Sequence, residues 1–181
     1  IHAAMTGHLV LSTLHTNDAP TTLPRLMDMD IPPFLIAFTV NIIVAQRLVR
    51  KVCEHCKKEY HLGKAEIQEL QRLVANKKIE ELFANQKIKL TAAEKNLEDI
   101  IFYHGEGCRR CNNTGYKGRQ GIYEVMEIDT EMIKKINEKA NAEQIKELAR
   151  KKGMISMMED GLIKAKLGIT TIEEVLRVTR D

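Results

Sequence analysis

The chain has 181 residues, enough for one ordinary domain or one and a half small ones. Its 44% hydrophobic and 29% charged residues describe a globular polypeptide and exclude a disordered one, while a net charge of +3 is too small to argue for nucleic acid by itself. Aromatic residues are scarce at 4% and Trp is absent, so the core has to be built from aliphatic side chains and eight Met.

The longest apolar run, residues 31–45, is interrupted by Pro32, Pro33, Thr39 and Asn41. It falls short of the roughly 20 apolar residues that span a bilayer. No basic segment followed by an apolar one opens the chain, so no export signal is expected. The chain begins with Ile1 directly in structured-looking sequence and is expected to be a piece of a longer polypeptide. Four cysteines in two close pairs, without a secretory signal, point to a reducing compartment and to metal before disulfides.

In chain order, residues 8–14 form a short β-branched and apolar run after Thr6-Gly7, which suits a buried strand. Asp18 can cap a helix reaching to about Met29, with Pro20 in its first turn and Pro24 bending it. Asp30 can cap a second helix, from Pro32 to about Val49, apolar nearly all round and therefore buried. Strand, loop, helix and helix make half of an α/β unit, with no partner strands in the chain.

The next region is bounded by the two cysteine pairs and carries a charged insert. Ile67, Leu70, Leu73 and Val74 recur at helical spacing, and Ile79, Leu82 and Phe83 suggest a second short helix. Residues 87–99 have no clear period and are expected to be mobile. Residues 101–103 and 121–127 read as strands. From Asp129 the chain is helical: Asp129 caps one helix, Asn141 with Gln144 makes a capping box, and Gly153 ends that helix. A third helix, about Ser156 to Leu167, stops at Gly168, and Thr170 with Glu173 forms the box of a last one.

Cys53-Glu-His-Cys56 and Cys108-Arg-Arg-Cys111 are separated by residues 57–107. Two such turns each offer two thiolates on one side of a tight knuckle, and facing knuckles give the four-sulfur tetrahedron that zinc prefers. A closed site of this kind is structural. Lys51, Lys57, Lys58, Arg109 and Arg110 cluster around it in sequence and would offset its negative charge. Iron–sulfur ligation, redox pairs, disulfides, unliganded core cysteines and His55 as a substitute ligand are the other readings. Gly115, Gly118 and Gly121 read as tight turns leading into a strand, since no helix or suitably placed lysine makes them a phosphate loop.

His8 and His15 bracket the first strand. Ligands of open α/β sheets bind beyond the carboxyl ends of strands, which favours His15 for function. Taken together, Thr6-Gly-His-Leu-Val-Leu-Ser-Thr-Leu-His-Thr-Asn-Asp18 closely resembles the histidine box of the type II secretion and type IV pilus-assembly ATPases. The resemblance continues through residues 25–28, 33–36, 45–50, 108–122, 159–162 and 168–175, and is weakest over 61–99. Departures are Pro24, Asp30 where glycine is common, and the long insert. The family carries both cysteine pairs, which supports zinc.

The resemblance implies an α/β fold: the C-terminal portion of a RecA-like P-loop ATPase domain, with a tetracysteine zinc subdomain and a C-terminal helical subdomain. Residues 1–52 would belong to the ATPase core, 53–127 to the zinc region and 128–181 to the helices. It implies that His15 and His8 sense or position the γ-phosphate region, that Gly7, Thr13 and Thr16 shape that strand and loop, and that the acidic Mg²⁺-binding segment precedes Ile1. The whole protein would be a cytoplasmic homo-hexamer, peripheral to the inner membrane, that hydrolyses ATP to drive an inner-membrane platform protein. No Gly-x-x-x-x-Gly-Lys-Ser/Thr occurs in the sequence, so the chain alone is expected to be inactive. The competing reading is a zinc-knuckle module that binds nucleic acid or protein, in which Arg109, Arg110, Lys117 and Arg119, with Tyr116 and Tyr123 to stack, would meet nucleic acid. Sparse aromatic interleaving argues against it, and no nucleic-acid partner is expected.

Overall fold

The architecture is mixed α/β, with its described strands in two pairs. It is taken from a computed structural model, which describes residues 1–73, 82, 83, 86, 88, 90, 94 and 96–180. Contacts divide the chain into two compact units: Ile1–Gln46 with Tyr123–Ser156, and Arg47–Ile122 with Met157–Asp181. Two long strands, β1 (Ile42–Val52) and β4 (Tyr116–Glu127), contribute residues to both.

The first unit contains α1 (His2–Met5), α2 (Thr22–Asp28), α3 (Pro33–Thr39), α5 (Thr130–Asn137) and α6 (Ala142–Lys151). Ile36 and Ala37 of α3 share a core with Leu23, Met126, Met132, Ile136, Ile145 and Ala149. Phe34 and Phe38 lie on the other side of α3 and are exposed. The expected caps at the front of α5 and α6 are present. Asp129 accepts from the Glu131 and Met132 N–H groups, and Asn141 and Gln144 exchange bonds as a capping box.

Several expectations for residues 1–49 are corrected. The run 8–14 is not a buried strand: neither sheet includes it, and Leu9 and Leu11 are 91% and 89% exposed. A strand needs a hydrogen-bonded neighbour, and none of the described strands runs alongside. The helix expected from Asp18 begins only at Thr22. Asp18 instead holds a turn, its Oδ1 accepting from the Thr21 N–H (2.9 Å) and hydroxyl (2.6 Å). The later start puts Pro24 in the first turn, where a missing N–H breaks no intrahelical bond.

The helix expected over 32–49 stops at Thr39, and residues 42–52 are β1. Ile42, Ile43 and Val44 are β-branched, and the side chains of 42–48 alternate between exposed and partly covered, the period of a strand. Asp30 does not cap that helix; Pro32 precedes it. Asp30 has φ +61°, the left-handed conformation that glycine takes most easily and that Asp tolerates.

The second unit holds β2 (Lys57–His61) paired antiparallel with β3 (Ile101–Gly105), α4 (Lys64–Leu73), α7 (Met157–Lys166) and α8 (Ile172–Thr179). Strand β2 was not expected. Ile67 and Leu70 of α4 are buried, as their spacing predicts. The expectations for Leu73 and Val74, for a second insert helix and for residues 87–99 fall largely outside the described residues, although Leu82 and Phe83 are buried and Leu97–Asp99 form a 3₁₀ turn. Lys166 pairs with the buried Glu94, whose Oε1 also accepts from the Ile101 N–H (2.9 Å). The cap of α8 is Thr171, bonded to the Glu174 N–H (3.1 Å), one residue later than expected. Thr170 donates instead to the Arg50 carbonyl (2.8 Å).

Candidate metal centre

The cysteines sit in the turns between strands. Cys53 follows β1, Cys56 precedes β2, and Cys108 opens the 3₁₀ turn Arg109–Cys111 that leads to β4. Two backbone bonds tie the knuckles together: Cys53 N–H donates to the Gly115 carbonyl (2.9 Å), and Glu106 N–H to the Cys56 carbonyl (3.0 Å). The second knuckle is held by Cys108 N–H donating to Cys111 Sγ (3.2 Å) and by Asn112 and Asn113 in left-handed conformations, φ +52° and +58°.

Glycine is required where the two chain segments cross. A Cβ on Gly105 would lie 2.1 Å from the Gly115 carbonyl oxygen, and one on Gly115, at φ +77°, would lie 2.4 Å from that of Gly105. This crossing escaped the sequence reading. The Gly105-Glu-Gly107 pair just before Cys108 was its available signal.

The four sulfurs lie within 4.8 Å of one another. Cys53–Cys108, Cys56–Cys111 and Cys108–Cys111 separations are 3.9, 3.8 and 3.7 Å. Sulfurs at the corners of a tetrahedron, each about 2.3 Å from a central ion, are about 3.8 Å apart. Disulfides need sulfurs about 2.05 Å apart, so all four cysteines are free thiols. A cluster of several irons would place iron and sulfide between the thiolates and spread them further.

Two of the thiols are shifted in opposite directions. Burial pushes Cys56 up to about 12. At Cys111 burial also acts upward, but backbone donors at Cys108 and Gly115 and the neighbouring thiols bring it down to about 6. A bound cation would favour the thiolate form of its cysteine ligands.

His55 is not part of the set. Arg110 Nη1 donates to its exposed ring, 2.8 Å from Nε2. Lys57 is likewise drawn elsewhere, its Nζ 4.5 Å from the centre of the Tyr103 ring. Two of the five cations expected around the metal are thus directed to other groups. Of the three glycines read as turns, Gly115 lies in a turn, while Gly118 (φ +86°) and Gly121 lie within β4.

The histidine box belongs to the first unit and the cysteines to the second. His8, Thr13 and His15 are exposed, and Gly7 has φ +87°. His8 Nδ1 lies 2.9 Å from the Thr6 hydroxyl, and the Thr16 hydroxyl 3.0 Å from that of Thr22. Sequence reading missed what anchors the end of this segment: Ala19 N–H donates to the buried carboxylate of Glu124 (3.0 Å). It also missed a buried ionic knot, in which Glu174 accepts from the Arg50 N–H (3.0 Å) and guanidinium (2.8 Å) and from Arg177 (2.9 and 2.6 Å). The Arg50 guanidinium also stacks 4.1 Å from the centre of the Tyr116 ring.

The family described as "Type II/IV secretion system protein" matches residues 1–177. The type IV pilus assembly ATPase PilB of Thermus thermophilus is 44% identical over 177 residues, 98% of this chain and 18% of that protein. PilB of Pseudomonas aeruginosa is 44% identical over 181 residues, 100% of this chain and 28% of its own length. The type II secretion system ATPase E of Vibrio cholerae is 39% identical over 181 residues, 100% of this chain and 31% of its own length. The chain thus spans less than a third of each of these relatives. With the match covering residues 1–177, it belongs to the Type II/IV secretion system protein family.

Proposed function

We propose that this chain is the C-terminal part of a motor ATPase that powers type IV pilus assembly or type II protein secretion. The family match along residues 1–177 carries the reading, supported by relatives named as ATPases of both machines. Residues 1–52 complete a RecA-like nucleotide-binding core, 53–127 form a metal-bearing arm, and 128–181 form a helical subdomain. ATP and Mg²⁺ are held by a phosphate loop and an acidic segment outside these 181 residues, so the chain alone does not hydrolyse ATP.

His15, with His8, couples the γ-phosphate region to conformation, and Gly7, Thr13 and Thr16 shape the loop. The exposure of residues 8–13 and 15, with the anchoring of Asp18 and Ala19 behind them, supports a ligand-facing role.

The metal is zinc, bound by Cys53, Cys56, Cys108 and Cys111. The sulfur separations support tetrahedral coordination, and four thiolates leave no position for a reactive water, so its role is structural. The assembled protein is a homo-hexamer on the cytoplasmic side of the inner membrane, acting on a platform protein there. No helix among the described residues is long and apolar enough to cross a membrane. Nucleic acid is not a partner in this reading: Tyr116, one of the two tyrosines offered for stacking, is covered by Arg50 and bonded through its hydroxyl to Thr171 (3.0 Å).

Deleting the gene in its source organism tests the function. Loss of surface pili or of secreted protein, restored by the intact gene, is the expected result. Unchanged piliation and secretion would overturn it.

A further inference from the structure

We propose that the pocket beside the metal knuckle, lined by Arg50, Thr114, Tyr116, Gly118 and Arg119, binds a phosphate group. All of these residues belong to the second unit. The pocket has a volume of about 280 Å³, below the roughly 300–1,000 Å³ of pockets that enclose drug-sized ligands. That volume has room for a small anionic group.

The charges around the pocket do not cancel. Glu174 is fully buried and shares its one negative charge between Arg50 and Arg177, which leaves that trio with a net positive charge. Arg119 adds a second cation at the pocket wall, and none of the described residues lining it is acidic. The Lys51 stem runs past Gly118, its Cδ 3.7 Å from where a Cβ on Gly118 would lie, and the missing side chain at Gly118 keeps this side open.

Arg50 is also held in place before any ligand arrives. Its backbone N–H and its guanidinium are both fixed by Glu174, and its planar face is packed on Tyr116. Its side chain is still 46% exposed, so donors not used by Glu174 remain open to solvent. A guanidinium fixed on one side and open on the other presents its N–H fork to a planar or tetrahedral oxyanion at little further entropic cost. Thr114 serves as wall and not as donor, because its hydroxyl proton goes to the Cys111 carbonyl (2.6 Å). Two cations facing one small pocket favour a phosphate, which carries more charge and more acceptor oxygens than a carboxylate. That phosphate is either free in solution or part of a phospholipid headgroup.

The test uses the full-length protein saturated with Mg-ADP, so that its own nucleotide site is filled. Inorganic phosphate is titrated by calorimetry, and flotation is measured with phosphatidylglycerol and with phosphatidylcholine vesicles. The expected result is saturable phosphate binding that weakens as chloride rises. Arg119→Ala should reduce it about tenfold, as loss of a charged hydrogen bond would, with melting temperature and zinc content unchanged. Flotation with phosphatidylglycerol alone, competed by phosphate and lost in Arg119→Ala, would identify the headgroup as the source; phosphate binding without flotation would identify the free anion. Absence of both kinds of binding in the wild type, or binding by Arg119→Ala equal to the wild type, would overturn the proposal.

Discussion

Glu174 offers the sharpest test of what holds the second unit together. Its side chain is 0% exposed and receives bonds from Arg50 and Arg177. Burial by itself raises its pKa, but the Arg177 and Arg50 bonds outweigh that and bring it from 4.5 to about 2. At about 1.4 kcal/mol for each tenfold change, this corresponds to about 3 kcal/mol. Because the folded value is the lower one, the contribution is complete above pH 4.5 and is lost as pH falls toward 2. Glu174→Gln removes the charge and keeps the shape. Removing one partner of a fully buried pair costs roughly 3–5 kcal/mol. Here the two arginines are 46% and 58% exposed and can rehydrate, which places the loss near the lower end, about 3 kcal/mol at pH 7. Urea unfolding followed by tyrosine fluorescence reports it, since Tyr60, Tyr103 and Tyr116 all lie in this unit. The gap between wild type and Glu174→Gln should shrink from pH 5 toward pH 2. A variant within about 1 kcal/mol of wild type at pH 7, or a gap that does not change with pH, would refute the reasoning.

Metal removal gives a second test. A chelator should lower the melting temperature and make all four cysteines react with an alkylating reagent; unchanged melting together with four freely reactive thiols before chelation would contradict a bound ion. Gly115→Ala should weaken zinc retention against a competing chelator, because the new Cβ meets the Gly105 carbonyl at 2.4 Å in a left-handed backbone. Zinc retained as in wild type would show that the crossing yields easily. Gly161→Ala sets a helix-propensity gain of about 1 kcal/mol against roughly 1–3 kcal/mol of overpacking, since its Cβ would lie 2.5 Å from Val175 Cγ1. Net destabilisation in urea unfolding is expected, and a stabilised variant would mean that α7 and α8 separate freely.

What could be read from the sequence was local. Asp129 and Asn141 cap helices through bonds to backbone groups two or three residues away, and Cys-x-x-Cys spacing sets two sulfurs on one knuckle whatever lies between the pairs. Residues 42–49 were misread because a strand with apolar residues on both faces looks like a buried helix until its partner is known. That partner, β4, starts more than sixty residues after β1 ends. Pairing across long separations was also hidden: Arg50 and Glu174 are 124 positions apart, and Ala19 and Glu124 are 105 apart. Asp30 was legible only as a departure from glycine, and its φ of +61° supplies the reason. The exposed course of residues 8–13 has a similar origin, because the β pattern of Leu9, Val10 and Leu11 has no ladder partner among the described strands.

Side-by-side measurement of ATP hydrolysis tests the central claim most directly. The 181-residue chain and the full-length protein would be purified with zinc and assayed with Mg-ATP under the same conditions. The account predicts turnover by the full-length protein and none by the chain, whose sequence has no phosphate-binding loop or P-loop lysine. Turnover by the isolated chain, or a full-length protein that binds zinc and assembles but does not hydrolyse ATP, would contradict it.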